Sequence, residues 1–153
     1  MARMSDFDEL IRDYFEAMEM PRFETTPWVT PKPLGRSRVA LISTAGIQRR
    51  GDRPFNTDSA DYRLLPGDAH AADLVMSHIS TNFDRTGFQQ DHNVVLPVDR
   101  LNELAAEGAI GSVASVHYSF MGATHPAKLE RTARHLAGLL KKDAVDRVLL
   151  VPV

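Results

Sequence analysis

From Arg38 onward, short apolar runs alternate with amphipathic helical patterns, and this alternation leaves few possible folds. The apolar runs are RVALISTAG, DLVMSHIS, GSVASVHYSFMG and DRVLLVPV, which begin at residues 38, 73, 111 and 146. The helical pattern LPVDRLNELAAEG separates the second run from the third, and HPAKLERTARHLAGLLKKD separates the third from the fourth. Strands joined by helices indicate right-handed crossovers. We therefore predict an α/β fold with an open, mostly parallel, Rossmann-like sheet and flanking helices.

Both helical patterns carry signals at their ends. In the earlier one, Pro97 lies near the first turn, Asp99 suits the positive end of the helix dipole, and Gly108 ends the helix. The later helix ends in Lys141 and Lys142, which suit the negative end of its dipole. The final run, VLLVPV, is apolar enough to predict a buried parallel strand.

The first 37 residues divide into two segments. Within residues 1–20, apolar side chains recur at helical spacing from Ser5 to Met18, and Ser5 can cap that helix. Residues 21–37 contain four prolines and predict an extended arm that runs over the domain surface, with Trp28 as its anchor. The α/β domain then covers residues 38–153. The apolar helix has to pack against its own domain or against a partner subunit, and both remain open.

Composition excludes several classes of function. The chain has 153 residues, 43% of them hydrophobic, and a net charge of -2, which suits one globular domain and gives no electrostatic basis for binding nucleic acid or an anionic membrane. No apolar stretch is long enough for a membrane span, and the first residues lack a signal-peptide core. The chain contains no cysteine, so disulfides and thiolate metal sites are excluded. A cytoplasmic protein is the expectation.

Histidines raise the question of a metal site. His78 ends an apolar run, and His92 lies in a polar stretch with Asp84 and Asp91. Imidazole and carboxylate groups can hold a hard or borderline metal ion. No diagnostic spacing such as H-E-x-x-H is present. A metal-dependent enzyme and a cleft lined by polar residues at a strand end both remain open.

Five stretches follow the order and spacing of one known family. They are VALISTAGIQRRGDRPFN, YRLLPGD, DLVMSHIS, DHNVVLPVDRLNELAAEGAIGSVASVHYSFMG and DRVLLVPV. Over residues 38–153 the chain resembles the glycine/sarcosine/betaine/D-proline reductase selenoprotein family, which includes the component B subunits and the selenocysteine subunit of D-proline reductase. The helix and arm before residue 38 lie outside the resemblance.

The resemblance implies an oxidoreductase of the class that acts on X–H and Y–H to form an X–Y bond with a disulfide as acceptor, a definition written for the reverse reaction. In the direction of cleavage, a C–N bond of a small amino-acid-like substrate breaks while a selenol or thiol pair becomes oxidised. It also implies that the reactive selenocysteine or cysteine directly follows the strand that DRVLLVPV forms. A nucleophile between a strand end and a helix N-terminus gains amide donors that favour its ionised form. No cofactor is expected in this chain beyond that redox centre.

The expected position of the redox residue is directly after Val153. Selenocysteine is encoded by a codon that otherwise means stop, so conventional reading of a selenoprotein gene would end the chain there. We therefore expect these residues to be the N-terminal portion of a reductase subunit, incomplete at its C-terminus. A short paralogue without the redox centre and a protein split into two chains remain alternatives.

Candidate site residues lie mainly at the ends of the predicted strands, where α/β sheets bind ligands. We expect His78 to transfer a proton and Asp91 to hold a substrate ammonium, with both side chains facing one cleft. The arginines can bind a substrate carboxylate in bidentate fashion. The candidate substrate-binding residues are Thr44, Gly46, Arg49, Arg63, Ser77, Asn93 and Tyr118.

The expected partners are a small amino-acid-like substrate and either other reductase subunits or a thiol electron donor. The apolar helix at the N-terminus also predicts a homo-oligomer, specifically a dimer in which this helix contacts the other subunit. A noncatalytic binding or assembly subunit is the alternative from a different functional class.

Overall fold

In the computed structural model, which describes residues 3–26, 28–81 and 83–153, four α-helices and seven strands form the fold. The helices are α1 (Glu9–Glu16), α2 (Thr86–Gln90), α3 (Val98–Ala106) and α4 (Pro126–Lys142). The strands are β1 (Arg38–Ser43), β2 (Ile47–Arg49), β3 (Arg63–Pro66), β4 (Leu74–Met76), β5 (Ser112–Val113), β6 (Val116–Ser119) and β7 (Arg147–Val151). The predicted α/β class is therefore observed.

The main sheet is mixed and curled, which corrects the prediction of an open Rossmann-like sheet, although three of its four strand pairings are parallel, as predicted. β1 lies at its centre and is parallel to β5 and β6 on one side and to β7 on the other. β3 pairs antiparallel with β6 and forms the other edge. A loop, not a crossover helix, leads into β3, so nothing obliges this strand to run parallel to its neighbour.

A second correction concerns the predicted strand at residues 73–80. Only Leu74–Met76 is a strand, and it pairs antiparallel with β2 in a separate two-stranded sheet. Just three residues join β1 to β2, with Gly46 at a φ of +64°, so no crossover helix fits between them. The turn sends the chain away from the main sheet, and the main sheet curls into a half-barrel.

The helix predictions are confirmed with shifted boundaries at the N-terminus. α3 and α4 occupy the predicted segments, and Gly108 after α3 has a φ of +74°. α1 is shorter than Ser5–Met18, because Met4–Asp6 forms a separate 3-10 turn. The carboxylate of Asp8, not the hydroxyl of Ser5, caps α1 by accepting the N–H of Ile11.

The segment between α1 and β1 is anchored at its end. Residues 19–26 and 28–33 contain no helix or strand, and Pro27 lies outside the described residues. Trp28 is 86% exposed, so it does not anchor this segment to the domain. Lys32 does so instead: its ammonium pairs with Asp146 at 2.6 Å, and its carbonyl accepts a hydrogen bond from Arg147 at 2.6 Å. The predicted surface arm remains an expectation.

Two apolar clusters pack on opposite faces of the main sheet. One contains Val39, Leu41 and residues of α3, and the other contains Tyr118, Phe120 and Leu136 of α4. β7 is parallel to β1 as predicted, but Val148, Leu149 and Leu150 are 36–67% exposed, so the prediction of a buried strand is wrong. Neither cluster extends far enough to cover this edge. No helix in the described ranges is long and apolar enough to cross a membrane.

Candidate functional site

The carboxyl ends of β1, β6 and β7 converge at one edge of the main sheet. Thr44, directly after β1, accepts the backbone N–H of Val153 at 2.8 Å through its hydroxyl oxygen, and the hydroxyl lies 3.3 Å from the carbonyl of Val153. The backbone N–H of Thr44 also donates to Val151 at 3.1 Å. The chain that leaves β7 is therefore fixed to the end of β1.

Gly122 packs against the same two residues. Its N–H donates to the carbonyl of Thr44 at 2.8 Å. A Cβ at this position would lie 2.7 Å from the carbonyl oxygen of Val153 and 2.8 Å from that of Thr44. These distances are shorter than nonbonded carbon and oxygen atoms tolerate, so the three strand ends meet this closely only with glycine here.

His78 lies beside this edge because Gly46 ties β4 to it. The carbonyl of Gly46 accepts the N–H of Ser77 at 2.9 Å, and its own N–H donates to Phe120 at 2.9 Å. The backbone of His78 is so close that a Cβ on Gly46 would lie 3.0 Å from it. The structure thus brings Thr44, Gly46, Ser77 and His78 to one edge of the sheet.

His78 is 6% exposed, and one nitrogen of its imidazole has no partner among the described residues. Its Nδ1 accepts the N–H of Ser80 at 3.2 Å, so the neutral ring carries its proton on Nε2. Nε2 is buried without a partner among the described residues. Burial, and then the nearby guanidinium of Arg85, lower the pKa of His78. The ring therefore offers an N–H donor and resists protonation.

Ser77 and Gln48 form a buried polar support beside His78. Ser77 Oγ donates to the amide oxygen of Gln48 at 2.5 Å and accepts the N–H of Phe55 at 2.9 Å. Gln48 is 4% exposed. Sequence reasoning missed this glutamine, because the three-residue strand that carries it shows no clear periodicity. Ser77 therefore joins the segment after β4 to β2 and to the loop that carries Phe55.

Asp91 and Asn93 lie away from this edge and organise the start of α3. Asp91 accepts the backbone and side-chain N–H groups of Asn93, each at 2.9 Å, and those bonds lower the pKa of Asp91. Asn93 also donates to the carboxylate of Asp99 at 2.8 Å. Asp91 lines an open depression with Arg50 and His92, and His78 is not part of that depression. No described hydrogen bond joins Asp91 to His78.

Two other candidates have their polar groups or rings engaged within the domain. The guanidinium of Arg63 donates to the carbonyl of Arg53 at 2.8 Å, pairs with Asp61 at 2.9 Å and lies over the ring of Phe55. Tyr118 is 5% exposed in the cluster under α4. In contrast, the exposed side chain of Arg49 has no hydrogen bond or ion pair within the described ranges.

The positions of His78, His92 and the nearby aspartates do not support the alternative of a metal-dependent enzyme. Among the residues that the structure describes, no three histidine, aspartate or glutamate side chains are placed to hold a metal ion. His92 lies 3.6 Å from Asp99 and 3.9 Å from Asp91, but His78 is not part of this group. His92 therefore links the two carboxylates around the start of α3.

Comparison with known proteins finds one matching family and several relatives whose names are those of reductase subunits. The model of the glycine/sarcosine/betaine reductase selenoprotein B family matches residues 10–153. D-proline reductase subunit gamma of Acetoanaerobium sticklandii is 35% identical over 122 residues, which cover 78% of this chain and 50% of the relative. Glycine reductase complex component B subunit gamma of Symbiobacterium thermophilum is 32% identical over 145 residues, covering 90% of this chain and 33% of the relative.

A third relative is betaine reductase complex component B subunit beta of Peptoclostridium acidaminophilum, 29% identical over 140 residues, which cover 87% of this chain and 32% of the relative. The chain thus spans between a third and a half of the length of these relatives. No solved structure matches it at a significant level. The extent of the family match nevertheless shows that the chain belongs to the glycine/sarcosine/betaine reductase selenoprotein B family.

Proposed function

We propose that this chain is the N-terminal portion of a selenocysteine- or cysteine-dependent reductase subunit that cleaves a C–N bond of a small amino-acid-like substrate. The family match over residues 10–153 is the observation that carries the proposal. The names of the relatives point to glycine, sarcosine, betaine or D-proline as the class of substrate. In such a reaction the carbon gains a hydrogen, the amine leaves, and two electrons come from a selenol or thiol pair that becomes oxidised.

The redox residue of this proposal is not among the 153 residues, which contain no cysteine. We place it directly after Val153. The support for that position is the convergence of β1, β6 and β7, where Thr44 and Gly122 hold the backbone of Val153. The carboxyl ends of parallel strands are where α/β proteins bind ligands and place reactive groups.

His78 is the candidate catalytic residue at this edge. Its buried Nε2–H lacks an acceptor among the described residues, and it can donate to an anion such as a substrate carboxylate or an ionised selenol. The lowered pKa of His78 favours this role over transfer of a proton from an imidazolium to the departing amine. An anion near Nε2 would favour the protonated ring and so raise the pKa of His78 part of the way back toward its usual value.

Asp91 and Arg50 support a separate contact with an amino-acid-like molecule. Both line one open depression beside the start of β4, and an ionised carboxylate with a guanidinium complements an ammonium with a carboxylate. His78 follows the other end of β4, a three-residue strand that spans about 10 Å. We therefore assign the reaction to the edge near His78 and Thr44, not to this depression.

A test of this function is inactivation of the gene in the organism that encodes it. Cell extracts of the mutant should lose reductive cleavage of one of glycine, sarcosine, betaine or D-proline, measured as amine release or ring opening with a dithiol donor. Complementation with the intact gene should restore the activity, and complementation with a His78→Leu gene should restore less of it. Unchanged cleavage of all four substrates would contradict the proposal.

A noncatalytic assembly subunit is the second candidate, because none of these residues offers a thiol. In that case a His78→Leu gene should restore cleavage as fully as the intact gene. The two complementations therefore separate a catalytic role of this edge from a purely structural role of the chain.

A further inference from the structure

Arg85 binds the short segment that carries His78. Its guanidinium donates through Nη2 to the carbonyl of His78 and to the carbonyl of Ser80, the latter at 3.2 Å. In the same segment, the N–H of Ser80 donates to Nδ1 of the His78 ring at 3.2 Å. Hydrogen bonds from a guanidinium are roughly twice as strong as those between neutral groups. The segment from His78 to Ser80 is therefore held by its own imidazole and by the side chain of Arg85.

The start of α2 fixes the position of Arg85. This helix begins at Thr86, directly after Arg85, and the carboxylate of Asp84 accepts the N–H of Thr86 at 2.9 Å. Arg85 is half-buried, and both described hydrogen bonds of its guanidinium go to the carbonyls of His78 and Ser80. In the described part of the chain, the guanidinium thus binds this segment and not a carboxylate.

Packing confines the imidazole of His78. The ring of Phe83 lies 5.0 Å from the ring of His78 between centroids, at an angle of 57°. Phe83 in turn packs against the core cluster that contains Leu41. The backbone of His78 lies so close to Gly46 that a Cβ there would be 3.0 Å away. Since the ring has little room to turn, the hydrogen bond that Nδ1 accepts decides which nitrogen carries the proton.

The same guanidinium opposes protonation of the ring. Burial lowers the pKa of His78, and the charge of Arg85 lowers it further. Among the described residues, Arg85 is the charged group whose effect on this pKa is resolved. Both effects keep the imidazole neutral, and a neutral imidazole has one donor nitrogen and one acceptor nitrogen. Arg85 therefore affects both the charge of the ring and the geometry of the segment that carries it.

We propose that Arg85 is a positioning residue that acts through His78: it holds the carbonyls of His78 and Ser80, so that Nδ1 keeps its bond to Ser80 and Nε2 keeps the proton. The Nε2–H is then a fixed donor for an anionic group at the carboxyl edge of the main sheet. This role in the reaction rests on the proposed function, whereas the ordering of the ring by Arg85 does not. An arginine with a purely structural role would change the stability of the chain without a specific effect on the tautomer or the titration of His78.

Nitrogen NMR of the purified chain with isotope-labelled histidine tests the ordering of the ring. The spectrum of His78→Leu assigns the signals of His78 in the parent, which should show a single tautomer with the proton on Nε2. Arg85→Met keeps the length of the side chain but removes its donors and its charge. This variant should lose the single tautomer, and His78 should titrate at a higher pH, because the like charge that disfavours the imidazolium is gone. Arg85→Lys keeps the charge and a donor, so it should keep the tautomer and the low titration.

Arg134→Met is the matched control, because Arg134 is exposed on α4, where it pairs with Glu130 at 2.7 Å. It should leave the signals of His78 as they are in the parent. Arg85→Gln lacks the charge but keeps amide donors, and it replaces Arg85→Met in the titration should that variant fail to fold. An unchanged tautomer and titration in the uncharged variants would overturn the proposal. Equal titrations of His78 in Arg85→Lys and Arg85→Met would also overturn it, since charge is the main difference between these two side chains.

Complementation of the inactivated gene tests the role of Arg85 in the reaction. The Arg85→Lys gene should restore more reductive cleavage than the Arg85→Met gene, at equal amounts of the encoded protein. Equal cleavage with both genes, together with a lost tautomer in Arg85→Met, would overturn the role of Arg85 in the reaction. If inactivation of the gene leaves cleavage of all four substrates unchanged, the proposed function fails, whereas the NMR result for Arg85 and His78 stands.

Discussion

The imidazole Nδ1 of His117 accepts the backbone N–H of Leu41 at 3.1 Å in the middle of the central strand. β1 pairs with β5 near its start and with β6 near its end, and the register shifts by two residues between Val39 and Ile42. At the break none of the described backbone carbonyls accepts the N–H of Leu41, and a side chain supplies the acceptor instead. His117 is completely buried and therefore forms part of the sheet.

Hydrogen exchange in variants at His117 should test whether this side chain supplies the acceptor for the N–H of Leu41. His117→Leu removes the acceptor and leaves the N–H of Leu41 buried without a partner, which costs about 1–3 kcal/mol of the free energy of unfolding. His117→Asn is the matched control, because its amide oxygen can reach the position of Nδ1. Amide exchange of Leu41 should accelerate in His117→Leu and stay slow in His117→Asn. Equal protection of Leu41 in both variants would show that another group accepts this hydrogen bond.

The same histidine predicts a pH dependence of stability. Burial, with a further contribution from Arg38, lowers the pKa of His117 to about 4 in the folded chain, against about 6.5 in the unfolded chain. Between these values the unfolded state binds the proton and the folded state does not, so stability falls as pH decreases from about 6.5 to 4. The loss from this group approaches about 3 kcal/mol at the low end.

Urea denaturation at several pH values measures this effect. The parent chain should lose stability over that window, and His117→Asn should lose clearly less, since it cannot take up the proton. A pH profile of His117→Asn that parallels the parent would assign the acid sensitivity to other groups.

Arg38 should be the charged residue at the start of β1 whose replacement lowers the free energy of unfolding most. Its guanidinium donates to the carbonyl of Val113 at 2.9 Å, to Ser115 at 3.1 Å and to both carboxylate oxygens of Asp143 at 2.9 and 3.1 Å. These bonds join β1 to the β5–β6 break and to the end of α4. A lysine keeps the charge but cannot reproduce the planar set of donors.

Arg38→Lys should therefore lower the free energy of unfolding by about 1.5–3 kcal/mol. Asp143→Asn removes only the ion pair, which is partly exposed, and should cost less than about 1 kcal/mol. Equal costs for the two variants in urea denaturation would mean that the ion pair, not the shared carbonyl contacts, dominates at this position.

Replacing glycine by alanine should have opposite effects on stability at the carboxyl edge of the main sheet and on the surface of α4. Gly122→Ala forces a Cβ against the carbonyl oxygens of Val153 and Thr44, and it should destabilise the chain by about 1–3 kcal/mol. Gly138→Ala in α4 meets no atom of the described residues within 4 Å and should stabilise the helix by about 0.5–1 kcal/mol. Thermal unfolding midpoints that move in the same direction for both would contradict the close approach at Gly122.

Much of the fold could be predicted from local patterns, and the exceptions have physical causes. α3 carries proline, acidic and glycine end signals, and α4 begins at a proline and ends in two lysines, so their positions follow from the sequence. β2 and β4 have three residues each, too few to show a period, and tertiary contacts decide that they pair with each other. Nothing in the sequence indicates that a histidine side chain replaces a backbone acceptor in β1.

The candidate site was predictable only in part. Thr44 and His78 do lie at one edge of the main sheet, but the cause is the turn at Gly46, whose carbonyl accepts the N–H of Ser77, because β4 is not a strand of that sheet. The prediction could not anticipate that Asn93 would instead bond to the carboxylates at the start of α3, or that Tyr118 would lie in the core. Those outcomes depend on packing between distant segments.

The central claim is that a redox residue directly follows Val153, at the edge of the sheet where Thr44 binds the backbone of Val153 and Gly122 packs against it. Mass spectrometry of the protein purified from the organism that encodes it, after reduction and alkylation with iodoacetamide, tests this claim most directly. We predict a peptide in which Val151, Pro152 and Val153 continue into an alkylated selenocysteine or cysteine. A peptide that ends at Val153 in a preparation without any alkylated selenol or thiol would contradict it.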